Sequence, residues 1–474
     1  MSENLHSRPN IVYVMADDMG FGDPGCYGAA KIPTPNMDRL AREGMRFTDA
    51  HSASAVCTPS RYAALTGRYC WRTRLKSGVM WGYSPPLIDD ERPTVAKMLR
   101  DAGYATAAVG KWHLGLGWNW KEAMPEGPVE MREEFGHRID HERPLTHSPN
   151  DDGFDYFFGI PASLDMQPYC FIENRETVGT PDVEKDTYHP QQREGLMVPG
   201  WKDDQVDLRH TGQACDFIER SVASGSPFFL YLTPSVPHRP CLPPEFMEGA
   251  SEAGLRGDCV ALYDWIVGEV MSTLERQGVA DDTLILVTSD NGARAVDYYG
   301  NDWGHRSCGP WRGQKADIWE GGHREPLLAR WPERIEAGAV CEETVGLIDL
   351  MATCAEVAGC DIPEGGAPDS ISIMPCLLGE ELSEPLHEAT VHHSGGGMFA
   401  IRQGEWKAIF GLGSGGFSDP REVDPVPGGQ EGQLYNMFDD PQETTNLWEQ
   451  EPRIVRRLND LLDTWREQGR SVQR

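Results

Sequence analysis

The sequence has twelve cysteines but no C-x-x-C pair and no regular cysteine spacing. That gives neither a zinc knuckle nor a disulfide framework, so most of the thiols are expected to be buried and reduced. It has no N-x-S/T sequon, the pattern of a non-glycosylated, bacterial-type chain. No apolar run reaches the roughly 18 residues that cross a bilayer, so no membrane span is expected. Met1-Ser-Glu-Asn-Leu-His-Ser7 lacks the charged-then-apolar order of a secretory leader. As given, the chain reads as cytoplasmic; removal of a leader would make it periplasmic or secreted. Positive charge is scarce: 43 Lys and Arg stand against 74 Asp and Glu, a formal net charge of -31. Nucleic acid and anionic membranes need a basic face, so neither is an expected partner. An anionic substrate would need a local cationic pocket. Internal repeats are absent too.

What is present is ample core material: 39% hydrophobic residues, with 14 Trp and 14 Tyr. At 474 residues the chain suits one large domain and a smaller one. Asn10-Ile-Val-Tyr-Val-Met-Ala-Asp-Asp18 reads as a buried strand ending in two acids, and Thr283-Leu-Ile-Leu-Val-Thr-Ser-Asp-Asn-Gly292 repeats the design. Between them, 94–103 reads as a helix, 104–110 and 227–233 as strands, and 259–277 as an amphipathic helix. Strands alternating with helices predict an α/β domain with a mostly parallel central sheet flanked by helices. The Pro-, His- and charge-rich stretch at about 122–201 reads as loops around a binding face. After about Gly359 come short strands between Gly-rich turns, at 389–393, 398–402, 406–410 and 433–436, and a closing helix from about Pro452 to Gln468. The expected division is a catalytic domain at 1–370 and a small antiparallel α+β domain at 371–474.

In open parallel sheets, ligands bind beyond the carboxyl ends of the strands, where Asp17-Asp18 and Asp290-Asn291 both fall. Either pair alone could simply begin a polar loop. Together, three carboxylates and an amide oxygen would repel one another without a cation between them, and oxygen-only ligation favours Ca²⁺ or Mg²⁺ over zinc. Cys57 stands at the mouth of a predicted helix, with Pro59 suited to the first turn and Arg61 one turn in. That places the thiol near the positive end of the helix dipole, although a lone cysteine serves as readily as a small buried hydrophobe.

The run Cys57-Thr-Pro-Ser-Arg61, continued by Tyr-Ala-Ala-Leu-Thr-Gly-Arg68, resembles the sulfatase signature C-x-P-x-R. The resemblance extends from about Pro9 to the end. Arg8 to Gly20 is similar to the family's first metal-binding strand, and Gly110-Lys-Trp-His-Leu-Gly115 to its G-K-W-H-L-G box. Gly159-Ile-Pro-Ala-Ser163, Pro237-His-Arg-Pro240, Ser289-Asp-Asn-Gly292, Arg312-Gly-Gln-Lys315 and Glu320 to Pro326 are similar to further family segments. The chain thus resembles the formylglycine-dependent, type I sulfatases of the alkaline phosphatase superfamily, arylsulfatase A-like and N-acetylgalactosamine-6-sulfatase-like. That implies an alkaline phosphatase-like large domain.

The resemblance implies that Cys57 is converted to formylglycine, by a formylglycine-generating or anaerobic sulfatase-maturating enzyme. It implies that Asp17, Asp18, Asp290, Asn291 and the modified residue 57 hold Ca²⁺, with Mg²⁺ still open. One hydroxyl of the hydrated aldehyde would attack sulfur, and the second would later lose its proton and expel sulfate. Lys111, Lys315 and Arg61 would neutralise sulfate oxygens, His238 would protonate the leaving alcohol, and His113 would take the second hydroxyl's proton. Ser163 would touch sulfate. Trp112, His305 and Arg306 are candidate substrate contacts, in segments that also hold Trp81, Trp118, Trp120 and Trp311. Aromatic faces with an Arg-His pair suit a sulfated sugar, although Trp near a core packs as readily as it binds. The expected activity is hydrolysis of a sulfate ester on a glycan-derived carbohydrate. The alternatives are a phosphomonoester or phosphodiester hydrolase on the same pocket, and a non-catalytic glycan-binding homologue. Oligomeric state is not encoded in these motifs.

Overall fold

A computed structural model describes residues 8–123, 133–187, 189–190, 192–296 and 300–473. Its frame follows from the apolar runs. Asn10–Ala16 is buried along its whole length. The period-two alternation of a strand sends Ile11, Tyr13 and Met15 into one hydrophobic cluster and Val12, Val14 and Ala16 into another. A strand apolar on both faces needs cover on both sides. Helices Pro35–Glu43, Val206–Ser224 and Gly254–Arg276 cover the Val12 face, whereas Cys57–Thr66, Val95–Asp101 and Leu350–Ala358 cover the Tyr13 face.

Asn10–Ala16 pairs in parallel with Phe228–Thr233 on one side and Thr283–Ser289 on the other. Ala105–Lys111 and Tyr156–Ile160 continue the parallel run. Beyond Thr283–Ser289 comes Arg324–Arg330, antiparallel, and then Met45–His51. Short edge strands complete an eleven-stranded sheet. The mostly parallel α/β expectation is met. The antiparallel Arg324–Arg330 strand was not foreseen. Pro326 interrupts its pattern, and the register shifts there between Glu325 and Leu327, the kind of irregularity where a strand tolerates proline.

Two other boundaries moved. The helix expected from Cys259 begins at Gly254, because its first turn holds an exposed Leu255 and a charged Arg256 paired with Asp23 and so hides from a hydrophobic-period reading. The stretch expected to be loops at 122–201 contributes a central strand, Tyr156–Ile160, besides turns and two-residue strands. Residues 124–132, 188 and 191 of that stretch lie outside the described residues.

A second, antiparallel sheet takes Thr390–His393, Phe399–Gln403, Trp406–Ile409 and Gln433–Asn436 in sequential order. Helix Pro452–Gln468 buries Leu458, Leu462 and Trp465 in a cluster that also takes Ala63 of the Cys57 helix, Tyr69 and Trp71. The small sheet therefore packs on the back of the helix that carries Cys57. It braces the site.

Candidate active site

Strand register assembles the site. Ala16 pairs with Ser289, so Asp17-Asp18 and Asp290-Asn291 leave neighbouring strands side by side at the carboxyl edge of the sheet. Lys111 ends a strand of the same parallel run, paired with Ile160. Ser163 follows Ile160, and His238 follows the end of Phe228–Thr233. Cys57 opens helix Cys57–Thr66 after an extended Val56, and Gly67 closes the helix at φ 60, a left-handed turn that suits glycine. All ten residues of this helix are buried.

Three carboxylates and three cationic side chains interlock. Arg61 reaches Asp290 Oδ2 through Nε at 2.9 Å and a terminal nitrogen at 2.7 Å, and lies 3.7 Å from Asp17 Oδ1. Lys111 Nζ is 2.6 Å from Asp17 Oδ2. Lys315 Nζ is 2.6 Å from Asp18 Oδ1 and 3.7 Å from Cys57 Sγ. Asp18 is drawn inward at φ 71, and its N–H donates to Asp290 Oδ1 at 3.2 Å. The amide of Asn291 donates to Asp18 Oδ1 at 2.8 Å. Ligand atoms of Asp17, Asp18, Cys57 and His238 all lie within 4.8 Å of one another. Asp17 Oδ1 and Asn291 Oδ1 are buried without a hydrogen-bond partner. Unpaired buried oxygens among carboxylates are the donor set of a hard cation, so these residues fit calcium or magnesium.

Electrostatics decide what each group can do. Burial pushes the Cys57 thiol up to about 12, although Lys111 and Lys315 pull the other way. The helix-mouth location therefore does not yield a thiolate; desolvation outweighs the dipole and the neighbouring cations. Burial, assisted by Asp17 and Asp18, lifts Asp290 to about 6 against the pull of Arg61. Burial works on Asp18 in the same direction, but Lys315 overrides it and holds that carboxyl well below its usual range. Burial and then Lys315 lower His238 to about 3. Burial, Lys111 and Arg61 hold His113 well below its usual value. Both rings are neutral near pH 7, and their partners fix the tautomers. His113 Nε2 faces the carbonyl of Met80 at 2.7 Å and so carries the proton, leaving Nδ1 as a buried lone pair without a partner. His238 Nδ1 faces the carbonyl of Arg239 at 2.7 Å, which leaves the Nε2 lone pair 3.7 Å from Asp18 Oδ2.

A cleft of about 1260 Å³ opens over this floor. Cys57, Lys315, His113, His238 and Ser163 line it, with Trp81 on the wall. Arg61 and Lys111 do not reach it; both are wholly buried, held by Asp290 and Asp17. Trp112 is also absent from the cleft. Its ring packs on Phe154 and Phe157 and its N–H bonds the Gly115 carbonyl, so it is core. Of the remaining two candidates, His305 is buried against Asp23 at 2.8 Å, next to the Asp23–Arg256 pair, and Arg306 is exposed away from the cleft. Their adjacency to the motifs is sequential, not spatial. Trp118 and Trp311 pack against Tyr83 and Phe21 respectively. Residues with no earlier assignment also line the cleft: Arg74, Asp165, Arg193, Arg239, Phe417 and Arg421. Arg239 lies inside Pro237-His-Arg-Pro240 and Asp165 two residues past Ser163, so proximity could have found them. Phe417 and Arg421 come from a long loop between strands of the second sheet and carry no local signal.

A cysteine beside carboxylates that fit a hard cation, at the carboxyl edge of a parallel sheet and under a cationic cleft, is an arrangement suited to hydrolysing an anionic ester. The chain matches the Sulfatase family over residues 9–360, and it belongs to that family. It is 34% identical to an N-acetylgalactosamine-6-O-sulfatase of Bacteroides thetaiotaomicron, across 96% of this chain and 93% of that one. It is 33% identical to arylsulfatase A of Bos taurus, across 93% and 83% respectively. Among solved structures, one described under metabolism of multiple glycosaminoglycans by Bacteroides thetaiotaomicron superimposes with a TM-score of 0.85 at 33% identity, covering 97% of this chain and 100% of that one. The protein is a sulfatase.

Proposed function

We propose that this sulfatase removes sulfate from a carbohydrate ester, using residue 57 as formylglycine and Ca²⁺ held by Asp17, Asp18, Asp290 and Asn291. The observation that carries the reading is Cys57 on the cleft floor, within 4.8 Å of Asp17, Asp18 and His238 ligand atoms and 3.7 Å from Lys315 Nζ. A thiol has one ionisable group and could not release a sulfate bound to it, whereas a hydrated aldehyde carries a second hydroxyl that can. Formylglycine would supply a hydrated aldehyde, whose hydroxyl is the nucleophile. Calcium would supply a fixed divalent charge that favours the deprotonated form of a bound oxygen. Cys57 is 2% exposed, so a maturing enzyme has to reach it before the helix is covered.

The chain's own side chains do the rest. Arg61 and Lys111 hold Asp290 and Asp17 in place from below, and Lys315 meets the sulfate oxygens in the cleft. His113 offers its unpartnered Nδ1 as the base. His238, with Nδ1 fixed on the Arg239 carbonyl, presents its Nε2 lone pair to the leaving alcohol, and it would act as the acid once that atom has taken up a proton. The similarity to an N-acetylgalactosamine-6-O-sulfatase makes N-acetylgalactosamine 6-sulfate the first substrate to assay.

The test uses protein made alongside a competent maturing enzyme. The peptide containing residue 57 should weigh about 18 Da less than its thiol form, as loss of one sulfur and two hydrogens and gain of one oxygen requires. The protein should release sulfate from sugar sulfates, and Cys57→Ala should not. A phosphate ester hydrolysed with a larger kcat/KM than its matched sulfate would overturn the reading, as would turnover by Cys57→Ala.

A further inference from the structure

Asp165 sits one imidazole ring away from the metal cage. It has 0% exposure, yet it lines the cleft. Its Oδ2 accepts from Arg239 Nε at 2.9 Å and from Arg193 Nε at 3.0 Å. Its Oδ1 has no hydrogen-bond partner. His238 Nδ1 is 3.9 Å away and already committed to the Arg239 carbonyl at 2.7 Å. Burial works against ionisation, but His238, Arg239 and Arg193 hold this carboxyl below its usual range, so both oxygens only accept. A buried carboxylate oxygen left unpaired is costly, and a ligand that donates to it recovers that cost.

The chemistry of that ligand is constrained. It must donate, which excludes the sulfate group itself. Two guanidiniums already face one carboxylate, so a further cation is disfavoured and a neutral donor is wanted. Ser163 Oγ, on the same short segment, is likewise buried, unpartnered and in the cleft. Trp81 adds an aromatic wall, with the Arg193 guanidinium 5.7 Å from its ring centre. A polyhydroxylated ring beside the scissile ester meets all of these demands; an aryl ring meets only the last.

Resting on the sulfatase reading above, we propose that Asp165 is a specificity-determining residue: its Oδ1 accepts a hydrogen bond from a ring hydroxyl of the sulfated sugar. Arg193 and Arg239 hold the carboxylate in that orientation. The contact selects sugar sulfates over aryl sulfates.

The experiment compares matured wild type with Asp165→Asn, which keeps the shape but turns one acceptor into a donor. Substrates are N-acetylgalactosamine 6-sulfate, its 3-deoxy and 4-deoxy analogues, and 4-nitrophenyl sulfate. A hydrogen bond to a charged acceptor lost from the transition state lowers kcat/KM by about 10- to 100-fold. The ratio of sugar to aryl kcat/KM should therefore fall at least about tenfold in Asp165→Asn. One deoxy analogue should cost wild type a similar factor and cost the variant less than about threefold. Equal losses on sugar and aryl esters would make Asp165 a mere support for Arg239 and His238 and overturn the proposal. So would deoxy penalties of the same size in both proteins. The wild-type deoxy series needs no substitution, so a folding defect in the variant leaves a decisive measurement: no penalty for any deoxy sugar refutes the contact. If matured wild type cleaves 4-nitrophenyl sulfate while this contact fails, the sulfatase reading stands and only the Asp165 role falls. Release of sulfate from neither ester class refutes both.

Discussion

Lys407 offers a sharp test of how the small sheet is fastened to the rest of the protein. Its ammonium is wholly buried, 2.7 Å from Glu443 Oε1, 3.0 Å from Glu320 Oε1 and 3.0 Å from His323 Nε2. Glu320 and His323 belong to the short helix before Arg324–Arg330, so the contact ties Trp406–Ile409 of the second sheet to the main one. Lys407→Met keeps the stem and removes the charge, leaving two buried carboxylates facing an apolar group. Removing one partner of a buried ion pair costs about 3–5 kcal/mol. With an unfolding entropy of about 2.1 cal/mol/K per residue, the chain's total is about 1 kcal/mol/K, so the melting temperature should fall by about 3–5 °C.

The pH dependence has a definite sign. Burial already lifts Glu443 to about 7, and losing Lys407 raises it further. A carboxyl with its folded value above its unfolded value of about 4.3 binds more protons in the folded state, so stability falls as pH rises between the two. The deficit of Lys407→Met should be largest at pH 8 and smaller at pH 5.5, where one glutamate can take a proton. Scanning calorimetry of both proteins at the two pH values reads it directly. A drop under about 1 °C at pH 8, or a deficit of the same size at both, refutes the reasoning.

Asp290→Asn should lower calcium affinity at least about tenfold by titration calorimetry, because it removes one of three charged donors from the cage; unchanged affinity removes Asp290 as a ligand. His238→Ala should slow sugar sulfates at least about tenfold more than 4-nitrophenyl sulfate, since only a poor leaving alcohol needs the proton; equal losses take the role from His238. His387 is 2.7 Å from Asp349 Oδ2, and although burial lowers its pKa, the Asp349 charge and hydrogen bond raise it overall. A histidine raised on folding stabilises fully below its unfolded value of about 6.5, and that contribution is lost as pH rises through the folded value. His387→Gln should therefore cost stability at pH 5.5, by about 1.5–3 kcal/mol for a hydrogen bond to a charged group, and less at pH 9. A deficit that grows with pH contradicts the assignment.

The apolar strands were legible because a run such as Asn10–Ala16 has no other economical home than a sheet covered on both faces. Once such strands are placed side by side, the acids at their ends are placed too, which is why Asp17, Asp18, Asp290 and Asn291 could be found before any coordinates. Cys57, Lys111, His113, His238 and Lys315 were legible as members of short motifs with fixed spacing. Sequence adjacency failed for Trp112, whose ring turns into the core against Phe154 and Phe157, and for His305 and Arg306, which lie among turns where His305 is taken up by Asp23. Arg193 and Phe417 were out of its reach, because their meeting with Asp165 depends on loops packed from three parts of the chain. The Arg324–Arg330 strand escaped because a proline sits inside it at a register shift.

The distinction between the two tiers of cations follows from charge balance. Asp17, Asp18 and Asp290 meet Arg61, Lys111 and Lys315, and the six charges cancel within the protein itself. That leaves the floor itself neutral, and the arginines of the cleft wall as the positive charge set against a chain of net charge -31. A divalent cation would make the floor doubly positive and strengthen the attraction of a monoanionic ester against the surrounding field. Arg61 and Lys111, sealed below, make three clustered carboxylates tolerable. Lys315, which alone of the three reaches the cleft, is free to follow the charge that shifts onto the sulfate oxygens. Neutralising Lys315 should therefore damage kcat more than calcium affinity, whereas neutralising Arg61 should damage both, because Asp290 loses its anchor.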